Sequence, residues 1–328
     1  MASLMLSEVQ ALDADVIRQQ ASEFDLVFGA HCIESRCIRV PELLRSGRAR
    51  KIAYAIQADD SMLLRRKRLL SNYGFLVSEY SEGQLRGEID RLALEKARQG
   101  IPATIRVLVD VTSLPRRIIA SIIGELASRC GTHIIDLSIS YTLARYIPPA
   151  KSRPEPNKRV APVHHFFAGW TSQPGLPVTA LMGLGYESGK ALGAREYLQA
   201  SDWFLFVPNS PETRFRTKVE QHNRQLLEGT KVARGPERVM DYDVLKPVQT
   251  LFTLGSVVAG LKAHSKPILL PFGPKIFFAT SALTAIAHPE TAVWHVSGEE
   301  NETPVDRTPS AYTTGLRCLI SSTEPEPE

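Results

Sequence analysis

Two proline-led stretches of the 328-residue chain place a cation where an apolar helix should open. They are "LPFGPKIFFATSAL" around Lys275 and "DVTSLPRRIIASIIG" around Arg116 and Arg117. The first turn of a helix presents unpaired N–H groups and the positive end of the backbone dipole. A cation there costs roughly 0.3–1 kcal/mol, and an anion is favoured. A cation repeated at that position fits a held anion such as a phosphate, with backbone N–H groups giving hydrogen bonds and the side chain giving charge. For either residue alone, a long stem lying over apolar surface with its head in solvent is the competing reading.

A second set of residues could work beside these cations. "GLGYESGKALG" carries Gly183, Gly185 and Gly189 between an apolar run and a helical one. This approaches the dinucleotide-binding fingerprint, whose glycines let backbone approach a pyrophosphate. The next apolar run ends in Asn209, where an acid should meet the ribose, and the related "GAHCIES" keeps only Gly29. A redox NAD enzyme is therefore not expected. Glu34 and Glu187 could serve as carboxylates in cleavage of an N-glycosidic bond, or stand as helix-start acids favoured by the dipole. His164-His165 have no third ligand at a useful local spacing. No nucleophile elbow, Walker lysine motif or H-E-x-x-H occurs in the sequence.

The elements that must position these residues are written twice. "PRRIIASIIGELASRCGTHIIDLS" from Pro115 aligns without a gap on "PKIFFATSALTAIAHPETAVWHVS" from Pro274. Each is preceded by an apolar strand, "IRVLVD" or "KPILLP". Upstream, "FDLVFGAHCIESRCIRVPELL" matches "VTALMGLGYESGKALGAREYL", and strands "KIAYAIQ" and "DWFLFVP" follow. Basic helical segments then share a spacing, Arg65, Lys67 and Asn72 against Arg216, Lys218 and Asn223. Each unit reads β–α–β–α–α–β–α–β. Its continuous apolar strands are those of a parallel sheet buried on both faces, so the fold class expected is α/β, doubly wound and duplicated.

In such sheets ligands bind beyond the carboxyl ends of the strands. The residues expected there are Gly29, His31, Glu34, Ser35, Asp110, Thr112, Ser113 and Arg116 in the first unit. Gly183, Gly185, Glu187, Ser188, Lys190, Phe272, Gly273 and Lys275 are their counterparts in the second. Ser113 is expected to cap the helix that Pro115 opens. Expected boundaries are 1–146 for a first unit with a leading amphipathic helix, 147–177 for a proline-rich linker and 178–320 for a second unit. A disordered acidic tail is expected at 321–328. The linker's "HHFFAGW" is too aromatic for a free tether and should pack on one domain.

Composition narrows the partners. With 39 basic and 35 acidic residues the formal net charge is +4, far from a DNA-coating protein. That balance permits an anionic small ligand and leaves nucleic acid open. The four cysteines, Cys32, Cys37, Cys130 and Cys318, form no C-x-x-C pair and are expected as thiols in a reducing compartment. The N-terminus has acids where a signal peptide would be apolar, and no stretch is long and apolar enough to span a bilayer. A soluble, cytoplasmic protein is expected.

The tandem units resemble the CRISPR-associated Rossmann-fold (CARF) sensors and their fused-pair relatives, the SAVED domains. "MGLGYESGK" with "PFGPK", and "FGAHCIES" with "VDVTSLPR", carry the likeness over roughly residues 24–298. The resemblance implies two Rossmann-like units related by a pseudo-two-fold, with a ligand cradled by loops after the first strand and at a later helix start. It also implies a sensor of oligonucleotide second messengers in prokaryotic antiviral defence. No nuclease or protease domain is legible, so an effector would be a separate partner. The expected ligand is a nucleotide-type molecule in a cleft shared by the units, with no resident cofactor or metal. Partners would be an effector protein and further copies of the chain. An enzyme cleaving a nucleotide through Glu187 or Glu34, and a structural assembly subunit, are the alternatives.

Overall fold

The computed structural model describes residues 3–56, 61–98, 103–148, 159–169, 175–187, 189–297 and 305–323. In chain order its elements begin with β1 (Leu4–Asp13), α1 (Ala14–Gln19), β2 (Leu26–His31), α2 (Arg39–Leu43), β3 (Arg50–Ala55) and α3 (Ser61–Asn72). Next come β4 (Phe75–Glu79), α4 (Glu82–Ala97), β5 (Ala103–Asp110), α5 (Arg116–Ala127) and β6 (His133–Ala144). The second half holds β7 (Arg159–Pro162), β8 (Val178–Gly183), α6 (Lys190–Tyr197), β9 (Asp202–Asn209), α7 (Thr213–His222) and α8 (Arg224–Arg234). It continues with β10 (Val239–Asp243), α9 (Pro247–Leu261), β11 (Lys266–Pro271), α10 (Lys275–Ala287) and β12 (Ala292–Ser297), and the last strand is β13 (Pro309–Ser322).

Two compact units result, Met1–Arg145 with Pro304–Glu328, and Tyr146–Thr303. Within the first, β2 to β6 are parallel in the order β4-β3-β2-β5-β6. The second repeats that order as β10-β9-β8-β11-β12, again all parallel. This is the doubly wound Rossmann-like arrangement, and strand order reverses at β2/β5 and at β8/β11. Antiparallel strands extend each sheet: β13 then β1 beyond β6, and β7 beyond β12.

The core follows from the apolar runs. All six residues of β2 are buried, as expected of a strand covered on both faces. From Ile118 to Ala127 in α5 and from Ile276 to Ile286 in α10 every residue is buried. Helices apolar on all sides belong in such surroundings. In α10, Phe277 packs on Phe206 of β9 and on Tyr242 of β10, with ring centroids 5.5 and 4.7 Å away. That contact fixes where Lys275 stands.

Several expectations need correction. The leading segment is not one amphipathic helix: Leu4–Asp13 is a strand paired with β13, and only Ala14–Gln19 is helical, capped by Asp13. Each unit has one more strand than expected, β4 and β10, both at a sheet edge. The strand Pro309–Ser322 joins the first unit's sheet, so the second unit does not run on to 320. Of the linker, Arg159–Pro162 pairs with β12, and Phe167 is buried in the same unit. Residues 149–158, 170–174 and 324–328 of the expected linker and tail lie outside the described residues.

Lys51 shows how the first unit ties helices to its sheet. This β3 residue is buried, and its Nζ donates to the carbonyls of Leu44 at 2.6 Å and Tyr73 at 3.2 Å, just past α2 and α3. Burial holds its pKa below the ordinary lysine value. Lys51→Met should fit the space but take the lysine's donor from the Tyr73 carbonyl and one of two donors from that of Leu44, which keeps Gly47 N at 3.2 Å, at a cost of about 1–3 kcal/mol. Urea unfolding would measure the loss.

Candidate functional site

The crevice of the first unit opens where β2 and β5 diverge. Its β2 loop carries Glu34, whose carboxylate accepts from Arg36 Nε at 3.1 Å and Nη2 at 2.5 Å and, more distantly, from Ser113 Oγ at 3.4 Å. Arg307 Nη1 approaches its other oxygen at 3.8 Å. Arg36 is 3 % exposed, and its Nη1 donates to Thr142 O in β6 at 2.9 Å. Because β5 lies between β2 and β6, that side chain runs across the end of β5. Burial works against its charge, but Tyr141 and the Glu34 carboxylate outweigh it and hold its pKa above the usual value.

Asp110 ends β5 and is turned inward: its Oδ1 accepts from the Thr112 backbone N–H at 3.1 Å and from the Thr112 hydroxyl. Thr112 Oγ1 in turn accepts from Thr142 N at 2.9 Å. Arg66 of α3, 8 % exposed, donates to Cys32 O at 2.9 Å, to Ser35 Oγ at 3.2 Å and to Asp306 Oδ2 at 3.1 Å. His31 is fully buried, with Nε2 donating to Leu63 O at 2.9 Å. Cys32 and Cys37 are buried free thiols. A hydrogen bond from Cys37 lowers the pKa of Cys32, and the same contact raises that of Cys37. The mouth of this unit is filled by its own ion pairs.

The second crevice, between β8 and β11, is built differently. Gly183 ends β8, and a Cβ there would lie 2.4 Å from the Phe277 ring. Gly185 and Gly273 touch each other: a Cβ on Gly185 would lie 2.7 Å from Gly273 N, and one on Gly273 2.3 Å from Leu184 O. Gly273 also has φ +72, a conformation that favours glycine. Asn223 fastens the loop by donating to Gly185 O at 2.8 Å. Glu187 lays its Oε2 against Gly185, and among the described residues that buried oxygen has no hydrogen-bond partner.

The two loops that meet at Gly185 and Gly273 lead into two helix starts. Lys190 opens α6 after Gly189 in the left-handed region, and Lys275 opens α10 after Pro274. Neither helix has an acid in its first turn or a side-chain cap. Beside Glu187, the Tyr186 ring lies nearly parallel to Phe215 of α7, 14° between planes and 6.3 Å between centroids. His222 lies 6.1 Å from Tyr186 on the other contact.

The expected residues thus separate by crevice. Lys190, Lys275, Gly185, Gly273 and Glu187 come together at one crevice, and Arg116 opens α5 as Lys275 opens α10, each after a proline with nearly the same backbone angles. Glu34, Asp110 and Ser113 are brought together but committed to internal bonds. Ser113 does not cap α5; Pro115 occupies that position and Ser113 faces Glu34 instead. Gly29 is inside β2, paired with Ala53, and does not border the crevice loop. Ser188 lies outside the described residues. Sequence reasoning did not single out Arg36, Arg66, Asp306, Arg307, Tyr186 or Phe215.

His164 and His165 sit in a short turn, rings 4.0 Å apart, with His164 Nδ1 accepting from Phe166 N. Among the described residues no three His, Cys, Asp or Glu side chains are grouped to hold a metal ion. No helix among them is long and apolar enough to cross a membrane. No protein-family model matches the chain, and no curated protein matches it. Fold and site define a tandem Rossmann-like α/β protein, with ion pairs in one crevice and, in the other, a buried carboxylate oxygen that has no hydrogen-bond partner among the described residues.

Proposed function

We propose that the protein binds a phosphate-bearing, nucleotide-type ligand in the crevice of its second unit and signals that event to a protein partner. The observation that carries this reading is Glu187, whose buried Oε2 has no donor among the described residues and lies beside the Gly185–Gly273 contact that leads into α10. Leaving a buried acceptor unmade costs about 1–3 kcal/mol, more when it is charged, and a sugar hydroxyl or base amine would supply the donor. The starts of α6 and α10, with Lys190 and Lys275, suit a phosphate. Tyr186 and Phe215 offer aromatic surface for a base. Phosphate, hydroxyl and base together are nucleotide chemistry. The likeness to CARF and SAVED sensors supports a signalling role in antiviral defence through a separate effector.

Titration calorimetry with ATP and with short oligoadenylates tests this reading. Lys275→Ala should weaken binding about tenfold or more, the loss of one charge-assisted contact, at an unchanged melting temperature. Arg116→Ala, in the first unit, should change it little. A wild-type protein that binds none of these probes, or a Lys275→Ala variant that binds as wild type, sinks the proposal and leaves an assembly subunit.

The buried carboxylate oxygen also favours a second reading, hydrolysis of an N-glycosidic bond with Glu187 activating water or stabilising the sugar cation. Incubation with NAD, ATP and adenosine would then release free base. Glu187→Gln should abolish that release while leaving the melting temperature near wild type.

A further inference from the structure

The first unit holds an anion already, and the anion is its own side chain. Asp306 Oδ1 accepts from Ser35 N and Ser35 Oγ, both at 2.7 Å, and Oδ2 accepts from Ser35 Oγ at 2.8 Å and Arg66 Nη2 at 3.1 Å. A backbone N–H, a hydroxyl and a guanidinium converging on one carboxylate form the donor set that also binds a phosphate monoester. Arg66 is built in: it is nine-tenths buried, and its other nitrogen is anchored on Cys32 O at 2.9 Å. Asp306 is less fixed, since its side chain is 37 % exposed.

The residues next to Asp306 share this dependence. Arg307 reaches Glu34 at 3.8 Å with a half-exposed side chain, and Thr308 O accepts from Arg145 N at 2.9 Å before β13 begins. Residues 305–308 therefore cross the mouth of the first unit on a few polar contacts, joining β13 to the chain that precedes it. Nothing apolar in 305–308 is buried.

We propose that Ser35 and Arg66 form a phosphate subsite which Asp306 occupies in the resting protein, and that residues 305–308 are a strap released when a phosphate group takes the place of the carboxylate. A tethered carboxylate competes at high effective concentration, so external phosphate binds wild type weakly. A dianion with more acceptor oxygens than a carboxylate displaces it when a ligand carries that phosphate into the mouth. The inference rests on the phosphate-ligand reading above for its physiological ligand, but its test does not.

The test uses full-length protein, inorganic phosphate and AMP. Asp306→Ala and the near-isosteric Asp306→Asn should bind inorganic phosphate about tenfold more tightly than wild type, and phosphate should raise their melting temperatures more than it raises that of wild type. Adding Arg66→Ala to Asp306→Asn should remove the gain. In wild type, saturating phosphate should speed amide hydrogen exchange in the peptide holding residues 305–308. A like gain with AMP assigns the site to a ligand phosphate, and a gain with inorganic phosphate alone assigns it to the free ion. Equal phosphate affinity in wild type and both Asp306 variants, with exchange unmoved by phosphate, would overturn the proposal. Since Lys275 is untouched throughout, failure here and failure of the second-unit site are separate results.

Discussion

Alanine at Gly273 should lower the unfolding free energy by about 3 kcal/mol, the sum of a left-handed backbone penalty and an overlap that cannot relax. Its φ is +72, and the added Cβ would fall 2.3 Å from the Leu184 carbonyl oxygen. The backbone fixes both the Cβ position and the carbonyl, so no rotamer change relieves the clash. Gly183→Ala meets a ring instead: Phe277 carbons at 2.4 Å, on a side chain with no exposure. A loss of about 2 kcal/mol is expected, as for other overpacked cores. Gly29→Ala is the control, because its Cβ finds only ordinary contact with Phe75 at 3.7 Å. It should be neutral or stabilise by about 0.5 kcal/mol through the unfolded chain.

Guanidinium unfolding of the three variants separates two meanings of the glycines. If they exist for ligand approach, alanine at 183 and 273 would lower nucleotide affinity with stability intact. The contacts say otherwise: Phe277 and Leu184 occupy the space a Cβ would take. Gly273→Ala should lose both stability and binding, since the displaced turn carries Lys275. Stability of Gly273→Ala within 0.5 kcal/mol of wild type, roughly the scatter of harmless substitutions, would show that this turn is not packed as described.

The alternation of buried strands and helices was legible because parallel strands covered on both faces are continuous apolar runs, as in "LVFGAH" and "KPILLP". The paired starts at Arg116 and Lys275 were legible for a local reason, proline fixing the residue ahead of each helix. What escaped was edge structure and distant pairing. The strands "FLVSE" and "VMDYD" are short and mixed in polarity, as margins of a sheet are. "LMLSEVQALD" forms a strand only because residues near the other end of the chain pair with it, and it bulges between Ser7 and Gln10, where Glu8 takes φ 49. The glycine types in the second loop were visible, but what pressed on them was not. Asp306 has no local signal at all: its partners are Ser35 and Arg66, far away in sequence.

Glu34 is where the sequence left a choice between catalysis and architecture, and its surroundings decide how substitution behaves. Arg36→Met should cost about 3 kcal/mol, the usual loss when one partner of a buried ion pair is removed. Arg36 is 3 % exposed and holds both Glu34 and Thr142 O, so its loss leaves a half-buried carboxylate and a carbonyl without their donor. Glu34→Gln should cost a similar amount, because it leaves the guanidinium buried with weaker acceptors. The double variant should cost less than the two losses together, by about 1–3 kcal/mol of coupling, since neither charge is then stranded. A catalytic Glu34 predicts another pattern, in which Glu34→Gln removes base release from nucleotides at unchanged stability. A double-mutant cycle read by chemical denaturation therefore settles the role of Glu34. Additive losses would mean that the 2.5 Å contact contributes nothing in solution, and strong coupling assigns Glu34 to holding the β2 loop across the end of β5.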